Sequence, residues 1–190
     1  MRIAIHQPRV SYYYGGGERV PIEQARFLSK QGHKVYMITT ATKRPSKLFL
    51  DFQKKNRKVR LVSFKITTKL RDIYRKELGG SRSRADSEAL EFGRMTREFY
   101  LKNNFDIVAT HYTMDSFFIP DNQRVVLTLH GRSSKKRVLD ARAINKTHTL
   151  LCVAKYVGVF WKELYHIKKP IHLAYNGLDH KYYAPGTLQK

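Results

Sequence analysis

Residues 2–40 read RIAIHQPRVSYYYGGGERVPIEQARFLSKQGHKVYMITT, and this stretch decides the fold. It begins with a short apolar run at 2–6, passes through three glycines into a helical pattern at 18–31, and returns to an apolar run at 34–40. Apolar runs on either side of a helix are typical of a βαβ unit with two parallel strands. The three adjacent glycines predict either a flexible turn or a backbone that a ligand approaches closely.

The same alternation continues through the rest of the chain. Further apolar runs lie at 59–64, 106–111, 124–130, 149–154 and 171–175, and helical patterns lie at 46–56, 85–103, 136–145 and 155–166. Several of the runs are apolar almost throughout, as expected when helices cover both faces of a sheet. The sequence therefore predicts an α/β fold, with a Rossmann-like, doubly wound and mostly parallel sheet of about seven strands.

The composition combines an ordinary core with an unusual charge. The 190 residues include 37 Lys and Arg against 15 Asp and Glu, giving a net charge of +22. Such a field attracts nucleic acid, an anionic membrane surface or phosphorylated ligands.

The single cysteine, Cys152, rules out an intrachain disulfide and a multi-cysteine metal site. Charge and proline come too early for a signal peptide, and no apolar run is long enough to span a membrane. We therefore expect a cytoplasmic protein, with peripheral attachment to the inner face of the membrane left open.

Three histidines stand at the ends of predicted strands. His6 ends the first strand, His111 the fourth and His130 the fifth. The carboxyl ends of parallel strands share one edge of the sheet, and ligands of open α/β sheets bind there. We therefore expect all three at the border of a cleft, although each alone also fits a structural role. His33 precedes a strand and belongs to the opposite edge.

The glycine loop follows the first strand at the same edge. Backbone N–H groups of Gly15, Gly16 and Gly17, ahead of a helix N-terminus, would bind phosphate without a charged side chain. The spacing matches neither the dinucleotide fingerprint nor the P-loop. Glu18 and Arg19 follow Gly17, so the last glycine of the fingerprint is missing, and no P-loop lysine follows the loop. Glu18 suits the start of the helix as a capping group. Tyr14, just before the glycines, fits either stacking on a ligand or local packing.

Each of two basic segments has two possible interpretations. Residues 65–84 predict an irregular excursion from the sheet, either a solvated loop or a basic arm that contacts an anionic acceptor or a membrane. Residues 132–137, RSSKKR, follow His130 and Gly131 and form either a phosphate-binding loop or a solvated one.

Five short motifs occur in a fixed order along the chain. They are Gly16-Gly17 preceded by Gly15, Gly32-His33, His130-Gly131, Val153-Ala154, and Asn176-Gly177-Leu178-Asp179 with Tyr183 and Pro185. In this order they resemble the N-terminal domain of the GT-B glycosyltransferases of family 4, over nearly the whole chain. The resemblance implies that residues 1–175 form this domain and that 176–190 begin a linker to a second one.

The resemblance also implies two facing Rossmann-like domains that bind different substrates. The second domain holds most of a nucleotide-sugar, and the first supplies the acceptor site. The loop of Gly15, Gly16 and Gly17 approaches the donor diphosphate, and His130, the candidate catalytic residue, lies near the transferred sugar. The remaining candidates border the acceptor cleft: His6, Tyr14, His111, Gly131 and Arg132. The resemblance further implies that transfer retains the anomeric configuration and usually needs no divalent metal or other cofactor. The donor phosphate accepts the acceptor proton, so no carboxylate base is required.

One departure concerns the second domain. The chain stops at Lys190, soon after the link at Asn176, Gly177 and Asp179, and the Glu-x7-Glu motif of the family is absent. We therefore expect little transfer without a C-terminal partner domain, in the same or a separate chain. Ala154 stands where the family commonly has a capping Ser.

The expected acceptor is a glycan, a lipid-linked glycan or another hydroxyl compound, and a phosphate on it would suit the charge. The alternative is a basic Rossmann-like protein that binds nucleic acid without enzymatic activity. It accounts for the charge, but leaves the glycine loop and the Asn-Gly-Leu-Asp link unexplained. A nicotinamide-dependent dehydrogenase is a third option, and it lacks its glycine fingerprint.

Overall fold

Seven parallel strands form the centre of the computed structural model, which describes residues 1–13, 15–66, 84–132 and 138–177. The strands are β1 (Arg2–His6), β2 (Lys34–Thr40), β3 (Arg60–Phe64), β4 (Ile107–Thr110), β5 (Val125–Leu129), β6 (Thr149–Cys152) and β7 (Ile171–Leu173). The helices are α1 (Gly16–Lys30), α2 (Lys47–Lys55), α3 (Arg84–Lys102), α4 (Thr113–Ser116), α5 (Val138–Lys146) and α6 (Lys155–Tyr165). The α/β, Rossmann-like sheet predicted from the sequence is confirmed.

The strand order is β3-β2-β1-β4-β5-β6-β7, and each pairing is parallel. The chain moves outward from β1 to β3 and then returns to build the other half of the sheet from β4. The order therefore reverses between β1 and β4, where His6 pairs in register with Thr110. In doubly wound folds, ligands bind outside the carboxyl ends of the strands at such a reversal.

Two helical layers cover the sheet. On one face, α1 and α2 pack on β1 and β2 through a cluster that includes Ile5, Met37 and Phe49. On the other face, α3 packs on β1 and β4 through Phe92 and Tyr100. A third cluster lies between the second half of the sheet and helices α5 and α6. Both faces of the sheet are therefore buried, which explains the continuous apolar runs of its strands.

Helix α1 starts two residues earlier than its sequence pattern indicates. Gly15 is the N-cap residue, and Gly16 and Gly17 form the first turn. Pro21 therefore lies in the second turn of the helix. The helix ends at Lys30, and Gly32 takes a φ of +84° in the turn towards β2, a left-handed conformation that glycine adopts without strain.

Other differences from the sequence prediction are small. The short helix α4 was not predicted, and β4, β5, β6 and β7 are shorter than their apolar runs. Tyr14, Asp179, most of the basic excursion at 65–84 and residues 133–137 of the second basic segment lie outside the described residues. Within the described ranges, no helix is both long and apolar enough to cross a membrane.

Candidate functional site

The carboxyl ends of β4 and β5 bring two of the predicted histidines into contact. Nδ1 of His111 lies 2.9 Å from Nε2 of His130, within hydrogen-bonding distance. The ring centroids are 5.2 Å apart, and the ring planes are inclined by 33°. Because β4 and β5 are neighbours in the sheet, residues 19 positions apart in sequence meet at one edge.

Burial keeps this histidine pair neutral. Burial lowers the pKa of His111 to about 3, and repulsion from a proton on His130 or on His6 would lower it further. Burial also lowers the pKa of the half-buried His130. A neutral imidazole has one N–H donor and one bare nitrogen acceptor. At neutral pH one ring of the pair therefore donates the shared hydrogen bond and the other accepts it.

The pair borders a cavity of about 260 Å³. Its lining comes from the ends of β4 and β5 and from the helices that follow: His111, Tyr112, Thr113, Thr128, Leu129, His130, Gly131, Arg132, Asp140 and Trp161. The lining combines aromatic surface with hydrogen-bonding groups, which is typical of a site for a small polar ligand. The structure therefore brings His111, His130, Gly131 and Arg132 of the predicted set together.

Asp140 is a buried member of this lining that the sequence analysis missed. Its carboxylate accepts a hydrogen bond of 2.5 Å from the Thr113 hydroxyl and one of 2.9 Å from the Tyr165 hydroxyl. It therefore joins α5 to α4 and α6 and holds one wall of the cavity. An acidic residue in the first turn of a helix was the only available signal, and such a residue usually faces solvent.

Arg132 lies at the exposed side of the cavity. Its guanidinium carbon is 5.5 Å from the ring centroid of Tyr156 and 5.6 Å from that of Phe160, both on α6. These distances are typical of cation–π contacts. Two aromatic rings thus hold a positive charge beside the cavity, where an anionic group would be attracted.

His6 ends β1 at the same edge of the sheet, but its side chain is buried. The ring has no exposed surface and packs against Phe92 at 4.9 Å between ring centroids. Its Nδ1 lies 2.9 Å from the Tyr100 hydroxyl, and burial lowers its pKa to about 3. His6 is therefore not among the residues that line the cavity.

The glycine loop holds an acidic side chain at the start of α1. A Cβ built on Gly15 would lie only 2.8 Å from Oε2 of Glu18, so the Glu18 carboxyl folds back over Gly15. A Cβ at Gly16 or Gly17 would meet open space. Burial raises the pKa of Glu18, while Arg9 and the backbone of Glu18 itself oppose the rise. Glu18 lies in the first turn of α1, where an acidic side chain suits the helix dipole.

Asp115 on α4 is a second buried acid on this side of the molecule. It is 1% exposed, and neither carboxyl oxygen has a hydrogen-bond partner among the described residues. Burial raises its pKa well above the usual range, with Glu18 adding to the rise and Arg9 opposing it. Burial therefore favours the neutral form of the Asp115 carboxyl. It escaped sequence analysis because α4 itself was not predicted.

The segment before the glycines is anchored to α3. The hydroxyl of Tyr12 donates a hydrogen bond of 2.7 Å to Glu88. Nε of Arg9 lies 3.9 Å from the same carboxylate, and the Arg9 guanidinium carbon lies 4.1 Å from the Tyr13 ring centroid. These contacts fix the path of the chain from β1 to Gly15.

Two further predictions concern the link and metals. Asn176 and Gly177 follow β7 and are exposed. Within the described ranges, His, Cys, Asp and Glu side chains nowhere gather in threes as the ligands of a metal ion would. The prediction of metal-free chemistry stays a prediction.

Comparison with known proteins gives a family match and a set of structural likenesses. The sequence profile of Glycosyltransferase Family 4 matches residues 14–182. None of the curated proteins matches the chain by sequence.

Solved glycosyltransferases share the fold at low sequence identity. An alpha-glucosyltransferase in complex with UDP and a 13-mer DNA containing a HMU base is 17% identical, with a TM-score of 0.55 over 94% of this chain and 43% of its own. The alpha-glucosyltransferase AGT in complex with UDP is 14% identical, with a TM-score of 0.54 over 94% of this chain and 45% of its own. MurG of Acinetobacter baumannii is 12% identical, with a TM-score of 0.50 over 91% and 44%. This chain thus spans less than half the length of each of these three structures.

Proposed function

This chain belongs to glycosyltransferase family 4, and from that premise we propose that it is the acceptor-side domain of a retaining glycosyltransferase. The enzyme transfers a sugar from a nucleotide-sugar to a hydroxyl of a glycan, a lipid-linked glycan or a similar acceptor. The observation that carries the proposal is the cavity at the carboxyl ends of β4 and β5, where His111 and His130 meet.

The cavity offers the groups that sugar recognition needs. Sugar hydroxyls are both donors and acceptors, and the histidine pair and the backbone around Gly131 can meet both requirements. Trp161 supplies an aromatic surface against which the apolar face of a sugar can pack. His130 is the residue that we assign to the transferred sugar, and Gly131 and Arg132 border the acceptor beside it.

The donor is expected to approach from the glycine loop. UDP occupies the alpha-glucosyltransferases whose fold this chain shares, which favours a nucleotide-sugar as donor. Backbone N–H groups of Gly16 and Gly17, in the open first turn of α1, suit a diphosphate. A diphosphate there must share the helix N-terminus with the Glu18 carboxyl or displace it. Retention of configuration without a cofactor or metal remains part of the proposal.

A second domain completes the site in this proposal. The chain matches 43–45% of the three solved relatives, which supports a partner half for donor binding. One wall of a cleft cannot hold both substrates in reacting geometry, so we expect weak nucleotide-sugar binding and little turnover from this chain alone.

The net charge of +22 favours an anionic acceptor or surface. A phosphate-bearing lipid-linked glycan fits, as does docking on the inner face of the membrane from the cytoplasm. The same charge supports a second candidate function, binding of nucleic acid without catalysis. One of the similar structures contains a 13-mer DNA, so nucleic-acid binding is measured alongside sugar transfer.

The decisive experiment supplies the chain with a C-terminal domain of a family 4 enzyme and measures sugar transfer from a panel of nucleotide-sugars. We expect transfer only in the combined protein, a loss of about 100-fold or more in His130→Ala, and loss of activity when Gly16 and Gly17 are replaced by Val. His33→Ala, at the opposite edge, is the matched control and should retain activity.

Donor binding can be followed by the fluorescence of Trp161, because it is the only tryptophan of the chain and lines the cavity.

If no partner domain restored transfer, and the chain instead bound duplex nucleic acid tightly with a steep salt dependence, nucleic-acid binding would replace sugar transfer as the proposed function.

A further inference from the structure

We propose that His111 is a positioning residue that fixes the tautomer of His130, so that His130 presents an Nδ1–H donor to an oxygen atom of a sugar hydroxyl. The identity of that oxygen rests on the proposed function. The direction of the hydrogen bond between the two rings is a property of this chain alone.

The geometry decides which nitrogen of His130 is available. Nε2 of His130 is engaged by Nδ1 of His111 at 2.9 Å. Nδ1 is therefore the only ring nitrogen that His130 can offer to the cavity it lines. His111 occupies the buried side of the pair, with 6% of its surface exposed.

The direction of the bond follows from the other ring nitrogen of His111, Nε2. Nε2 of His111 is buried and has no hydrogen-bond partner among the described residues. A buried N–H without an acceptor is rare in folded proteins, and an acceptor without a donor is better tolerated. The single proton of neutral His111 therefore lies on Nδ1, which donates to His130.

His130 must then accept at Nε2 and carry its own proton on Nδ1, because a neutral imidazole holds one proton. The opposite direction would leave a bare Nδ1 in the cavity, and His130 could then take a proton from the acceptor. His111 thus decides between two chemistries. In the arrangement that we propose, His130 orients a sugar hydroxyl through its oxygen and removes no proton at Nδ1.

Long-range ¹H–¹⁵N spectra of the histidine rings test the proposal on the whole chain without any substrate. The His130 signals are identified by their loss in His130→Gln. We expect a protonated Nδ1 and a bare Nε2 for both His111 and His130. His111→Phe removes the donor and should give His130 averaged tautomers, whereas His111→Asn keeps an N–H donor and should preserve the Nδ1–H form. The ring signals of His33 report whether the fold persists.

A protonated Nε2 on His130 in the unmodified chain would overturn the proposal, and so would mixed tautomers there. An unchanged Nδ1–H form in folded His111→Phe would show that His111 does not set it. If His111→Phe fails to fold, the spectrum of the unmodified chain decides alone. Absence of sugar transfer from a reconstituted enzyme would remove the proposed function and leave the tautomer result standing.

Discussion

The indole Nε1 of Trp161 donates a hydrogen bond of 2.6 Å to the backbone carbonyl of Gly131. This bond joins the middle of α6 to the turn that follows His130. Trp161 also stacks on Tyr165, with 5.2 Å between ring centroids and 16° between ring planes, and Tyr165 in turn donates to Asp140. Helix α6 therefore holds two parts of the cavity wall in place.

Replacing Trp161 with Phe should loosen this turn. The variant loses the hydrogen bond to Gly131 and part of a packed side chain, so we expect the free energy of unfolding to fall by about 1–3 kcal/mol. Denaturant titration followed by circular dichroism measures the change. Tyr156→Phe, on the exposed side of α6, is the control and should stay within about 0.5 kcal/mol of the unmodified chain. Equal stability of the two variants would contradict the bracing role.

Gly158 allows α6 to approach β6 closely. A Cβ at this position would lie 2.9 Å from Sγ of Cys152 and 3.6 Å from the Ile171 side chain. Gly158→Ala should therefore destabilise the protein by about 1–3 kcal/mol through overpacking. In a Cys152→Ala background the same substitution should cost at least about 1 kcal/mol less, since the two sites are in contact. Strictly additive effects in this double-mutant cycle would exclude the steric cause.

The three glycines of the loop should differ in their tolerance of a side chain. Gly15→Ala pushes a methyl group against the Glu18 carboxyl and the Tyr13 ring, so we expect a loss of stability and a displaced Glu18. Gly17→Ala meets open space in the first turn of α1. It should stabilise the chain by up to about 1 kcal/mol, because alanine loses less backbone entropy on folding. Thermal unfolding of the matched pair checks this, and the reverse order of stabilities would refute it.

Stability should fall with acid because of the buried histidines. Burial lowers the pKa of His6 and His111 from 6.5 to about 3. Between these values the unfolded chain binds protons that the folded chain does not, so the stability present above pH 6.5 is lost as the pH falls towards 3. Each histidine contributes a slope of up to about 1.4 kcal/mol per pH unit. The raised pKa of Asp115 acts with the opposite sign, so a variant must be compared with the unmodified chain.

His6→Phe isolates one of these contributions. Urea unfolding between pH 4 and 7 should give a shallower dependence on pH than in the unmodified chain. His172→Gln, which removes an exposed histidine on β7, is the matched control. If stability depended on pH with the same slope in His6→Phe and in the unmodified chain, His6 would take up protons in the folded state as it does in the unfolded state.

The sequence by itself determined the architecture of this protein. Apolar runs from Arg2 to Leu173 alternate with helical patterns, and only a sheet covered on both faces can bury such runs. Parallel strands then bring their carboxyl ends to one edge, which is why the three histidines and the glycine loop could be assigned to that edge from spacing alone. The ordered motifs also indicated the family, and the family match over residues 14–182 confirms it.

The tertiary structure decided what each histidine does. His6, His111 and His130 hold equivalent places in the sequence, at the ends of apolar runs. His6 shares a sheet face with Ala4, two residues earlier, and α3 covers that face with Phe92 and Tyr100, so the ring is buried. His111 and His130 follow adjacent strands and meet at the edge. Which strands are neighbours and which helix covers each face depend on contacts between distant segments, and local patterns carry no record of them.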